Sequence, residues 1–90
     1  MGEINKILEE RGARYGSFCS HATITQSLKS VMAGSAKWNG LSDDKKEALE
    51  MIQHKIGRIL NDDPDYLDSW IDIVGYAQLV INDINGNHTK

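Results

Sequence analysis

The chain has 90 residues, ten Lys and Arg against thirteen Asp and Glu, and a formal net charge of −3. One domain of this length sits near the lower limit for a self-sufficient core, and its charge argues against a protein built to grip a nucleic-acid backbone. A single cysteine, Cys19, excludes an intramolecular disulfide and suits a reducing cytoplasm.

No apolar run approaches the roughly 20 residues that a membrane helix needs. The opening "MGEINK" has neither the apolar core of a signal peptide nor the Ser or Thr of a myristoylation site. The expectation is a protein of the cytoplasm (the host's, if phage-encoded) with no membrane partner. Cys19 is expected to be a buried or half-buried bystander.

Four helices are expected in a single all-α domain spanning residues 1–90. The first covers about 2–11, with Ile4, Ile7 and Leu8 as its apolar stripe, and stops at Gly12. "GARYGSF", residues 12–18, reads as a glycine-bracketed loop carrying Arg14 and Tyr15. The second helix runs from Ser20 to Ala33, with Ile24, Leu28 and Val31 on one face. Asn39-Gly40 then makes a turn, with Trp38 folded back on the core.

The third helix is capped by Ser42 and starts with Asp43 and Asp44 at the positive end of its dipole. Its buried stripe is expected to be Leu49, Ile52, Ile56, Ile59 and Leu60. Asp63 is placed to cap the fourth helix, with Pro64 in the first helical position. Leu67, Ile71, Val74, Ala77, Val80, Ile81 and Ile84 form its apolar side, Gly86 closes it, and 86–90 reads as a disordered tail. Trp38 and Trp70 are read as core or subunit-interface residues. A chain this small would gain from a second subunit, so a homo-oligomer is expected.

The chemistry-bearing residues lie on the third and fourth helices, which a short connection should pack as an antiparallel bundle pair. Glu47, Glu50 and His54 follow one another at three and four residues, and so do Asp65, Asp68 and Asp72, with Tyr76 continuing that face. Carboxylates converging from two elements are the hard oxygen ligands that Mg²⁺ takes while leaving room for water and phosphate. Lys55 and Arg58 suit phosphate oxygens. Arg11 and Arg14 could reach outer phosphates, with Tyr15 or Phe18 stacking on a base. The alternatives are two solvated acidic faces, an N-terminal loop stapled to the core by its aromatics, and a His21 that is simply hydrogen-bonded.

"EALE" followed by "DSWIDIVGYAQLV" resembles the all-α nucleoside triphosphate pyrophosphohydrolases, the MazG-like superfamily. Its pattern is E-x-x-E on one helix and E-x-x-D with an apolar stretch on the next. Glu47 and Glu50 match the first pair, Asp72 the final Asp, and "DIVGYA" the apolar stretch. Asp68 stands four residues before Asp72, and the position three before is Ser69. The whole chain also resembles a group of small helical phage and prophage proteins through "RGARYG", "EALEMI" and "DSW".

The resemblance implies a MazG-like bundle. It further implies Mg²⁺-dependent cleavage of a (deoxy)nucleoside triphosphate to the monophosphate and pyrophosphate, with Glu47, Glu50, Asp68 and Asp72 as metal-binding and catalytic residues. Arg11, Arg14, Tyr15, His54, Lys55, Arg58 and Tyr76 would contact the substrate. Two other functions fit the same residues. One is a non-catalytic nucleotide-binding or sequestering protein, which the Ser69 departure favours. The other is a phage counter-defence protein that binds a host protein.

Overall fold

The computed structural model describes residues 2–15 and 17–86, with backbone alone over 9–15. The chain is all-α, as its periodicity implies: α1 (Gly2–Tyr15), α2 (Phe18–Ala33), a single 3₁₀ turn (Trp38–Gly40), α3 (Asp43–Asn61) and α4 (Leu67–Ile84). Among the described residues there is no strand. α3 is central. It packs most extensively against α4 and next against α2, while α1 touches α2.

Local chemistry sets the helix ends. Ser17 caps α2 by accepting the backbone N–H of Ser20 at 3.1 Å, and Asn61 Nδ2 donates to the Ser17 carbonyl at 3.0 Å, tying the start of α2 to the end of α3. Gly86, at φ 81°, takes the left-handed conformation beyond α4 that glycine tolerates. Ser42 stands at the N-cap of α3, but it makes no side-chain bond to a backbone N–H. Its hydroxyl engages the Asp44 carboxylate instead.

Three expected boundaries move. α1 does not stop at Gly12 but stays helical to Tyr15, so Arg11, Arg14 and Tyr15 lie on helix rather than loop; their side chains lie outside the described residues. α2 begins at Phe18, two residues before the expected Ser20. α4 begins at Leu67, because Asp63 Oδ1 accepts the N–H of Asp65 at 2.9 Å and commits Pro64 to a turn. Of the expected tail, 86–90, Gly86 is described and 87–90 lie outside the described residues.

The larger correction concerns which side chains are inside. Among the described residues Ala48 is the one buried hydrophobic, and the other buried side chains are His21, Thr25, Gln53 and Ser69. Helices approach closely where residues are small, and here the contact lines are taken by Ala48, Gly57, Thr25 and Ser69. The expected core positions Leu49, Ile56 and Leu60 of α3, and Leu67, Ile71, Val74, Ile81 and Ile84 of α4, are exposed. Trp70 is half exposed, with its indole Nε1 donating to the Pro64 carbonyl at 2.7 Å. Cys19, expected to be at least half-buried, is exposed.

Candidate functional site

The contact between α3 and α4 reaches Asp72 through Lys55, five residues beyond the E-x-x-E pair. Lys55, at the end of the "EALEMIQHK" segment, places Nζ 2.9 Å from Oδ2 of Asp72 in "DSWID". Asp44 and Asp83 engage each other near the far end of the same helix pair. Going eleven residues back along α3 and eleven on along α4 joins these two contacts, which is the register of an antiparallel pair.

That register decides where the acids fall. At about 1.5 Å per residue, Glu50 lies roughly 7.5 Å and Glu47 roughly 12 Å back along α3 from the level of Asp72. Glu47 is exposed and Glu50 intermediate. Asp68 is exposed and its Oδ2 accepts the Tyr66 hydroxyl at 3.2 Å. The chemistry of this donor set suits Mg²⁺. Its placement within one chain does not: among the described residues no three His, Cys, Asp or Glu side chains are grouped so as to share a cation. The charge beside Asp72 comes from Lys55, whose side chain is 13% exposed.

Ser69, where the resembling family carries an acid, is the buried residue of α4. A carboxylate in its place would enter the packed α3 contact without solvent, at a desolvation cost that a serine avoids. Tyr76 shares the polar side of α4 with Asp68 and Asp72 by helical spacing and is half-buried.

A second polar group lies between α2 and α3. The rings of His21 and His54 meet edge to face, with centroids 4.7 Å apart. Gly57 makes their approach possible: a Cβ there would stand 2.6 Å from Thr25 Cγ2 and 3.2 Å from His21 Cε1. Burial first, then the Arg58 guanidinium, then His21 push the His54 imidazole down to about 4. His21 is lowered too, by burial and then by Arg58, with the Gly57 backbone pulling the other way. Both rings are therefore neutral at physiological pH, and His21 is buried against α3 with the Gly57 backbone as its hydrogen-bond partner.

Gln53, 2% exposed, has no hydrogen-bond partner for either amide atom among the described residues, and His21 Nδ1 has none either. Sequence reasoning passed over Gln53, Thr25 and Gly57 because a polar residue and a glycine inside a helical stripe read as solvated or neutral positions. The available signal was the interruption of the α3 apolar stripe at Gln53 and Gly57, one turn apart.

No curated protein and no solved structure matches the chain. A family model described as a domain of unknown function, DUF6378, matches residues 2–83. Spanning nearly the whole of α1 to α4, that match shows that the chain belongs to the DUF6378 family.

Proposed function

We propose that the protein handles nucleotides by binding them, with the polar side of the α3/α4 hairpin as its binding surface and a (deoxy)nucleoside triphosphate as its ligand class. The observation that carries this reading is the Lys55–Asp72 pair at 2.9 Å, which sets a cationic side chain of α3 against the acidic motif of α4. Lys55 and Arg58 offer cationic donors for phosphate oxygens. Asp68 and Tyr76 flank Asp72 on α4 by helical spacing, and Glu47, Arg11, Arg14 and Tyr15 stay candidate contacts.

Sequestration is favoured over hydrolysis because Lys55, not a convergence of carboxylates, neutralises Asp72. Hydrolysis would need a metal held by acids that one chain keeps apart. The reading also carries a phage or prophage origin and a cytoplasmic setting from the sequence resemblance.

The test is calorimetric titration with canonical nucleoside triphosphates, with and without Mg²⁺, beside product analysis of the same mixtures. Saturable binding that is lost in Lys55→Ala, without pyrophosphate release, is the expected result. Pyrophosphate release abolished by Glu50→Ala and Asp72→Ala would replace sequestration with catalysis. Binding unchanged in Lys55→Ala and Asp72→Ala would remove the site.

A further inference from the structure

The seam between α2 and α3 gathers cationic groups around one ring. His54 stands beside Lys55 on α3, one turn before Arg58 and one turn after Glu50. From α2 come the His21 ring, with centroids 4.7 Å apart, and Lys29. From α4, Asp72 reaches Lys55 at 2.9 Å. The charges that act on the His54 ring are those of Arg58, His21, Lys55 and Lys29, with no carboxylate among them. His54 and Arg58 are half-buried and Lys29 is exposed, so the group opens to solvent.

Two kinds of ligand suit paired imidazoles, and the surrounding charges choose between them. Rings from adjacent helices are natural ligands of a transition metal. Among the described residues, however, no third His, Cys, Asp or Glu side chain is grouped with them, and Arg58, Lys29 and Lys55 repel a cation. An oxyanion is drawn by the same three side chains, and a protonated imidazole adds N–H donors. On their own the rings stay neutral, because a proton there would face these cations at a half-buried position. An anion beside the ring offsets that repulsion and favours the proton. By reciprocity the proton favours the anion by the same factor.

We infer that this group is a proton-linked oxyanion site: a phosphate of the ligand binds among Lys29, His54 and Arg58, and the His21–His54 pair takes up one proton from solvent as it does. The choice of phosphate rests on the nucleotide reading, and the site extends that reading across α3 to Lys29 of α2. No covalent bond of the ligand changes; the proton passes from water to a ring nitrogen.

The test uses inorganic sulfate, which stays a dianion throughout the range, in calorimetric titrations at constant ionic strength. With the His54 ring returned from about 4 to its ordinary 6.5, sulfate should bind about fourfold tighter at pH 6 than at pH 7.5. Ordinary carboxylates and lysines keep their charge across that window, so histidines carry the change. Proton NMR should show the titration midpoint of the His54 ring rising when sulfate is added. In His54→Phe the ratio of the two affinities should fall toward one. Lys29→Met, at an exposed position, should weaken sulfate binding severalfold at both pH values. If His54→Phe does not fold, the wild-type titrations and Lys29→Met still decide. No saturable sulfate binding, equal affinity at the two pH values, or a ratio that His54→Phe leaves unchanged overturns the proposal.

The two readings fail separately. Proton-linked sulfate binding without any binding of nucleoside triphosphates keeps this site and overturns the nucleotide reading. Nucleotide binding beside a sulfate affinity that is equal at the two pH values keeps the nucleotide reading and overturns this one.

Discussion

Lys55 Nζ lies 2.9 Å from Asp72 Oδ2, with the lysine side chain 13% exposed and the aspartate 44%. The asymmetry sets the cost of breaking the pair. Asp72→Asn leaves a mostly buried ammonium without its counter-charge, whereas Lys55→Met leaves a carboxylate that water can still solvate. Allowing for screening at the exposed aspartate, Asp72→Asn should cost about 1 kcal/mol of unfolding free energy and Lys55→Met less. Urea melts of the two variants and the double variant measure it, and equal costs with no coupling would show that the contact is not formed in solution.

His21 and His54 make folding pH-dependent with a definite sign. His54 has a folded value of about 4 against an ordinary 6.5, so between those pH values the unfolded chain binds more protons than the folded one. Stability is therefore complete above about pH 6.5 and falls as pH drops toward 4, with His21 adding to the loss in the same direction. The loss from His54 should be on the order of 2 kcal/mol after allowing for its partial contact with water. His54→Phe should flatten the slope in this window. A wild-type stability that does not change between pH 7 and pH 5 would contradict the neutral, packed pair.

Two glycines should respond to alanine with opposite signs. At Gly57 a methyl group would press on Thr25 Cγ2 at 2.6 Å. The cost of overpacking, about 1–3 kcal/mol, exceeds the gain of up to ~1 kcal/mol in helix propensity. At Gly75 nothing lies within 4 Å, so only the propensity gain remains. Thermal melts should show Gly57→Ala below the wild type and Gly75→Ala above it. If both rise, α2 is free to move away from α3 and the histidine contact is not tightly held.

Much of the fold was legible in the sequence because helix type is a local property. The four-and-three repeats of Leu49–Ile52–Ile56 and Val74–Ala77–Ile81 announce helices wherever their apolar faces point. Direction was not legible. An apolar stripe is ordinarily assigned to the interior of its own chain, and here small and polar residues hold the contact lines while the stripes lie outside. The packing of α3 against α4 was legible from the short connection, whereas the Lys55–Asp72 pair was not. The distance between Glu47 and Asp72 was not, because it depends on axial register, which spacing within each helix does not encode. Gly12 and Pro64 misled for a simpler reason: both mark positions where a helix is able to end or begin, and neighbouring groups, such as the Asp63 carboxylate, decide whether it does.

Gln53 poses the sharpest energetic question. It is 2% exposed, and neither its Oε1 nor its Nε2 has a hydrogen-bond partner among the described residues. A buried amide left unpaired costs about 1–3 kcal/mol, whereas an apolar side chain of similar length avoids that penalty and keeps the packing. Gln53→Met should therefore raise the unfolding free energy by about 1–2 kcal/mol, read as a higher urea midpoint with an unchanged slope. The same substitution should leave nucleotide binding intact, since the polar side of the hairpin is carried by Lys55, Arg58 and Asp72. A Gln53→Met protein less stable than the wild type would show that the buried amide is satisfied in solution.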